Sequence, residues 1–272
     1  MITIDGGPHL LWWPTQNPDG SAVPAQVPVP QILRELQPDA KFIITLTDPV
    51  YRTFSDYWFL DDDKKPYNHP QHTHGMHSKG EKNTKNKNSV KSAAQFHDRI
   101  VSQVNNMQKC IHNMLTRYER LPWFQASQVC AHDRKQFGKA GWGRLNIGMY
   151  VVFLEKWLEH FQLDQFLVVR LEDYEADPKA YMEKVFQFLE LPPISQTELN
   201  SIIERERANV NRKHHEDMWP ETQTTLEDFY RPYNTLLQQV TNPNSNPNSN
   251  PNPNPNPNPN PNPNPNPNPN PN

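Results

Sequence analysis

The sequence predicts an α/β domain in which a parallel sheet is flanked by helices on both faces. Two short segments, Phe42–Leu46 and Phe166–Leu171, are apolar or β-branched except for Arg170, as buried parallel strands are. An Asp-Pro pair follows each segment, at residues 48–49 and 177–178, and favours the start of a helix. Strands that alternate with helices form parallel sheets, whose ligands bind at the carboxyl ends of the strands.

Apolar periodicity and helix-start signals predict the other elements of this domain. The helix after the first strand should run from residue 49 to about residue 60. Further helices are expected over 90–118, 145–161, 178–191 and 222–240, the last of them bent or broken at Pro232. Ser195 and Glu198 have the spacing of a capping box for one more helix. Together these elements predict one domain over residues 1–240.

Residues 241–272 form a separate, low-complexity tail. After Thr241 the chain consists of Asn and Pro with two Ser residues. Each proline favours extended geometry in the residue before it and removes a backbone donor. The tail is therefore expected to be disordered or polyproline-like, and a sticky repeat is the alternative.

Composition and charge narrow the class of protein. The formal net charge of −3 gives no global basic field that would attract nucleic acid. The two cysteines, Cys110 and Cys130, are too few for a disulfide framework, although one bridge is possible in an oxidising compartment. The sequence shows neither an apolar run of membrane-spanning length nor a signal peptide at Met1.

The segment 41–59, KFIITLTDPVYRTFSDYWF, is the most informative motif in the chain. It places a helix N-terminus directly after a buried strand, where free N–H groups and the helix dipole favour a phosphate. Ser55 lies two helical turns further on and could donate to the same anion. Many such turns bind nothing, so the pattern alone leaves the phosphate site open.

Two other polar groups are weaker candidates for a site. Glu172 and Asp173 follow the second strand, where a capping or ion-pairing role is favoured over contact with a substrate. The histidines at 69, 72, 74 and 77 have spacings that could suit a metal, but they lie in a polar Lys-rich stretch without Cys or acidic partners. We predict a solvated loop there, and no metal is implied.

Taken together, these segments resemble the carbohydrate sulfotransferases. Residues 41–59 resemble the family's 3′-phosphate-binding motif, commonly Arg-Asp-Pro-x-x-Arg followed by Ser-Asp-Tyr. Four more segments resemble the family in the same order, namely 2–13, 144–161, 165–191 and 211–230. The resemblance covers most of residues 1–240 and is strongest to the branch that sulfates position 6 of N-acetylgalactosamine 4-sulfate in chondroitin.

The resemblance implies a P-loop-like sulfotransferase fold and a transferase reaction. The implied donor is 3′-phosphoadenosine 5′-phosphosulfate, used without a metal. The implied acceptor is a sugar hydroxyl of a glycosaminoglycan, and the implied location is the Golgi. The oligomeric state is left open, and no nucleic-acid partner is expected.

By the same resemblance, a set of five residues would bind the donor: Asp48, Arg52, Ser55, Arg212 and Lys213. For the last two, a solvated basic turn is the alternative from the residues alone.

Asp5 is the implied general base, because the attacking hydroxyl must lose its proton as the new bond forms. From the sequence alone, Asp5 could equally cap the Gly6-Gly7 turn, and His9 is a less favoured base.

Two departures from the family pattern favour a second hypothesis. Thr47 stands where the pattern has Arg, and a neutral hydroxyl grips a phosphate less strongly than a guanidinium does. The Gly-rich, Lys-bearing loop for the 5′-phosphosulfate is expected upstream of Ile2 and is not in the printed sequence. The alternative is therefore a catalytically inactive relative that binds glycan or a partner. A phosphoryl-transfer enzyme is disfavoured, because no GxxxxGK[ST] motif occurs.

Overall fold

The computed structural model describes residues 11, 29–59, 91–132, 145–204 and 216–242. Its first half contains helix α1 (Val29–Leu36), strand β1 (Phe42–Leu46) and helices α2 (Pro49–Phe59), α3 (Ala93–Arg117) and α4 (Trp123–His132). Its second half contains α5 (Tyr150–Leu158), β2 (Phe166–Arg170), α6 (Leu171–Ala176), α7 (Pro178–Phe188), α8 (Gln196–Ile203) and α9 (Pro220–Thr241).

The two strands form a parallel pair, as predicted. Phe42 lies opposite Phe166, and Leu46 lies opposite Arg170 at the carboxyl ends. The crossover between the strands includes helices α2 to α5. The carboxyl ends of β1 and β2 therefore meet at the same edge of the sheet.

One face of the sheet packs against α5 and the segment after it. The ring of Phe42 lies 5.1 Å from the Trp157 ring, 4.7 Å from Phe161 and 4.8 Å from Phe166, measured between centroids. Leu237 of α9 packs against the same cluster. Apolar burial and the edge-to-face aromatic contacts hold this face to the helices.

The second face is covered only in part by described residues. The Tyr181 hydroxyl of α7 lies 3.1 Å from Oγ1 of Thr45, which places a helix on this face too. Ile43, however, is 40% exposed. The burial expected of β1 is therefore only partial on this face, among the described residues.

Most predicted helix starts are confirmed. The Asp177 carboxylate accepts a hydrogen bond from the Ala180 N–H at 3.0 Å and caps α7. Ser195 and Glu198 form the expected capping box at the start of α8. Helix α9 continues through Pro232, so the helix is not broken there.

The predicted helix over 145–161 is wrong in its first turn. Residues 145–148 form a 3₁₀ turn, and α5 begins only at Tyr150. The Leu145 carbonyl accepts a 2.8 Å hydrogen bond from the Tyr230 hydroxyl, while the Met149 N–H bonds to the Asn146 carbonyl instead. A side chain from α9 thus takes the acceptor that an α-helix would have used.

Tyr230 is fully buried and fixes the packing of α9 against α2 as well. Its hydroxyl lies 2.9 Å from Oγ1 of Thr53 in α2. Its ring lies so close to Gly148 that a Cβ added there would be 2.7 Å from the tyrosine Cζ. Glycine is required at this position because of that close approach.

A disulfide between Cys110 and Cys130 links α3 to α4. The sequence left this pairing open. The two Cα atoms are 6.0 Å apart, and Cys130 is fully buried in the main core.

A helix that crosses a membrane must combine length with an apolar sequence, and no helix among the described residues does so.

We expect Gly148→Ala to lower the free energy of unfolding by about 1–3 kcal/mol, because the added methyl group meets the Tyr230 ring. Chemical denaturation measures this loss. The same change in a Tyr230→Leu background should cost much less, since the ring is gone. An equal loss in both backgrounds would show that the ring is not the obstacle.

Candidate functional site

A cavity of about 860 Å³ lies at the carboxyl ends of β1 and β2. We call it the strand-end cleft. It is bounded by the turn after β1, by the last residues of β2, by α6 and α7, and by the second half of α9. The charged residues that line it, of those described, are Asp48, Arg170, Asp173, Asp177 and Lys184. This is the place where a parallel sheet is expected to bind a ligand.

The turn between β1 and α2 forms one wall of the cleft. Asp48 caps α2, because its carboxylate accepts a 2.7 Å hydrogen bond from the Val50 N–H. The Asp48 carbonyl accepts the first helical bond, from the Arg52 N–H at 2.8 Å. The carboxylate that the resemblance assigned to the donor is thus engaged with its own helix.

Glu172 crosses from the start of α6 to the same turn. Its Oε1 atom accepts a hydrogen bond from the Thr47 hydroxyl and another from the Asp48 N–H, both at 2.7 Å. Burial would raise the pKa of Glu172, but these two bonds, a backbone bond within residue 172 and the charge of Arg170 together outweigh it, and the net pKa is lowered. Glu172 therefore has the structural role that the sequence favoured. It stabilises the turn between β1 and α2.

Tyr150, the first residue of α5, also bonds to the turn between β1 and α2. Its hydroxyl donates to the Thr47 carbonyl at 3.0 Å. Burial is the largest of the effects that raise its pKa, so the phenol stays protonated and acts as a donor. Sequence reasoning missed this residue, because an apolar helix pattern does not show which tyrosine reaches a distant carbonyl.

Arg52 and Ser55 lie further along α2 and are not among the described residues that line the cleft. The Arg52 guanidinium bonds to the Asp56 carboxylate at 2.6 Å and to Oγ1 of Thr53 at 3.0 Å. Its side chain is 15% exposed. The assignment of Arg52 and Ser55 to the donor stays a prediction.

Three predicted site residues, Asp5, Arg212 and Lys213, lie outside the described residues. So does the histidine-rich stretch at 69–77. Among the residues that are described, no three His, Cys, Asp or Glu side chains cluster in a way that could hold a metal ion.

A family model and individual relatives point to the same protein family. A family model described as a sulfotransferase domain matches residues 25–226, which include β1, the turn, β2 and the start of α9. Human carbohydrate sulfotransferase 15 is 31% identical over 211 residues, which are 76% of this chain and 31% of that protein. The chain thus spans about a third of the length of the mammalian relatives it matches.

Two more relatives extend the comparison. Carbohydrate sulfotransferase 15 of Nototodarus sloanii is 30% identical over 154 residues, which are 55% of this chain and 88% of that protein. Mouse heparan sulfate glucosamine 3-O-sulfotransferase 3B1 is 30% identical over 116 residues, or 37% of this chain and 30% of that protein.

We expect Glu172→Gln to be less stable than wild type at neutral pH by about 0.5–1 kcal/mol, because charged acceptors make the stronger hydrogen bonds. The lowered pKa of Glu172 stabilises the fold above the ordinary value of 4.5. That contribution is lost as the pH falls through the lower folded value. The gap between wild type and variant should therefore close in acid. Denaturation at several pH values tests this, with Asp173→Asn as control, and a gap that does not change with pH would contradict it.

Proposed function

The chain belongs to the sulfotransferase domain family, with carbohydrate sulfotransferases among its relatives, and on that premise we propose that it transfers a sulfuryl group to a sugar hydroxyl. The proposed donor is 3′-phosphoadenosine 5′-phosphosulfate. The strand-end cleft carries the proposal, because its walls other than α9 lie within the family match and it sits at the ligand-binding edge of a parallel sheet. Its volume of about 860 Å³ is in the usual range for small-molecule sites.

The proposed reaction is an in-line displacement at sulfur. The acceptor hydroxyl oxygen forms a bond to sulfur while the bond from sulfur to the bridging phosphate oxygen breaks. The electron pair of that bond leaves with adenosine 3′,5′-bisphosphate. The hydroxyl proton passes to a carboxylate, and we assign this role to Asp5. Arg212 and Lys213 would offset the negative charge of the donor phosphates.

The turn after β1 would receive a donor phosphate, helped by the dipole at the start of α2. Arg52 and Ser55 stand further along that helix, and we retain them as donor ligands beside Asp48. Both belong to the segment that resembles the family's 3′-phosphate motif.

The proposed acceptor is a sulfated glycosaminoglycan, in particular position 6 of N-acetylgalactosamine 4-sulfate in chondroitin. Arg170 and Lys184 are the cations among the described residues that line the strand-end cleft. Arg170 is 69% exposed, so its guanidinium is available to an anionic chain. Guanidinium groups bind sulfate-like anions through two parallel hydrogen bonds.

One observation favours a second candidate function, a relative that binds glycan or a partner without transfer. Thr47 provides a neutral hydroxyl where the family pattern has Arg, and that hydroxyl is bonded to Glu172. A chain of this kind would bind an anionic glycan yet transfer no sulfate from a labelled donor. The transfer assay described below separates the two functions.

We propose the Golgi lumen as the location. The family resemblance suggests it, and the buried Cys110–Cys130 bridge supports an oxidising compartment.

The double change Cys110→Ser and Cys130→Ser should lower the free energy of unfolding by about 3 kcal/mol, because the bridge closes a loop with a sequence separation of 20. Denaturation with and without a thiol reductant measures this. The reductant should weaken the wild type to the level of the variant and leave the variant unchanged. Equal stability of wild type and variant would remove the bridge as an argument for the compartment.

The Asp5→Asn change should leave donor binding intact and reduce transfer by roughly 10²–10⁴-fold, because it keeps the shape of the side chain and removes its basicity. Calorimetry with adenosine 3′,5′-bisphosphate measures binding, and transfer of labelled sulfate to chondroitin 4-sulfate measures activity in the longest natural form of the protein. His9→Gln is the matched control and should retain transfer. Full activity of the Asp5 variant would eliminate Asp5 as the base.

A further inference from the structure

The carboxylate of Glu172 occupies the hydrogen-bond donors of the turn between β1 and α2. Its Oε1 atom receives both the Thr47 hydroxyl and the Asp48 N–H at 2.7 Å. Under the proposed function, a donor phosphate would bind at this same turn. A side chain of the protein therefore already stands where an oxygen of the ligand would be held.

The other oxygen of this carboxylate is poorly satisfied. Oε2 of Glu172 is buried and has no hydrogen-bond partner among the described residues. Within the described part of the chain, the cation paired with it is Arg170, whose Nε atom lies 3.7 Å away, beyond hydrogen-bond distance. An ionised carboxylate can accept about four hydrogen bonds, and a buried oxygen without a partner costs free energy. An anion that is better satisfied at the turn can replace this contact.

The position of Glu172 also allows its carboxylate to be replaced by an anion at the turn. It lies in the first turn of the short helix α6, directly after β2, and its side chain is 36% exposed. Its neighbours Arg170 and Asp173 both line the strand-end cleft. A change of side-chain rotamer can therefore move the carboxylate from the turn to solvent without moving the strand.

The negative charge of Glu172 also opposes the binding of a phosphate at the turn. Neither hydrogen-bond partner of Glu172 at the turn is a cation, since Thr47 offers a hydroxyl and Asp48 a backbone N–H. The exposed Arg170 guanidinium, 3.7 Å from the other carboxylate oxygen, offsets this negative charge only in part, and the carboxylate would repel an incoming phosphate over a few ångströms.

We propose that Glu172 is an intramolecular competitor of the donor: its carboxylate must leave the Thr47–Asp48 turn before a phosphate group binds there. The inference rests on the proposed function, because it concerns the same site. Its consequence is that this chain binds the donor more weakly than the geometry of the turn allows.

The test measures the dissociation constant of adenosine 3′,5′-bisphosphate by calorimetry for wild type and three variants. Glu172→Ala empties the turn, and we expect binding to tighten about tenfold, the value of one hydrogen bond to a charged group. Glu172→Gln removes only the charge and should tighten binding severalfold. Asp173→Asn removes an equal charge from the same cleft and should change binding by less than about twofold.

Each outcome decides the matter. If the wild type binds and neither Glu172 variant binds more tightly, the competitor is overturned while the donor site stands. If the Asp173 variant tightens binding as much as Glu172→Gln does, general charge explains the gain, and the competitor is again overturned. If no form of the protein binds the bisphosphate, the donor site and the competitor fall together. Glu172→Gln keeps the test valid if Glu172→Ala does not fold.

Discussion

The buried hydroxyl of Tyr230 is the contact on which the arrangement around the strand-end cleft depends. From α9 it reaches the Leu145 carbonyl at 2.8 Å and Oγ1 of Thr53 at 2.9 Å, while its ring covers Gly148. Three segments that are distant in sequence therefore meet at one side chain. Since α2 begins at the turn after β1 and α9 lines the cleft, this contact sets the distance between two of the cleft's walls.

Much of the fold could be predicted from the sequence wherever a structure depends on nearby residues. The cap at Asp177 and the capping box at Ser195 involve partners three positions away, and both are present. The break before α5 could not be predicted, because the Leu145 carbonyl there bonds to a hydroxyl group 85 positions further along the chain. The exposure of Ile43 was missed for a similar reason, since an apolar segment does not reveal which of its faces is covered.

The same distinction between nearby and distant partners decides which parts of the candidate site could be predicted. The strand, the turn and the helix of the phosphate motif were predicted from one continuous segment. Glu172 and Tyr150 contact Thr47 across separations of 125 and 103 positions, and no local pattern identifies such partners. A resemblance transfers residue roles, but it does not show that Thr47 would bond to a carboxylate of the same chain. The roles of Asp5 and Lys213, outside the described residues, remain predictions.

The parallel pairing of β1 and β2 has a consequence for how the chain folds. The strands can meet only after the long crossover that contains α2 to α5 has been closed, and closing a long loop costs entropy before any strand contact offsets it. Helices, whose contacts are local, form on a much faster timescale. The Cys110–Cys130 bridge lies within that crossover and shortens the flexible chain that must be closed. Oxidation of the two cysteines before the sheet assembles should therefore accelerate that assembly, which would couple the rate of folding to the redox conditions in which the chain matures.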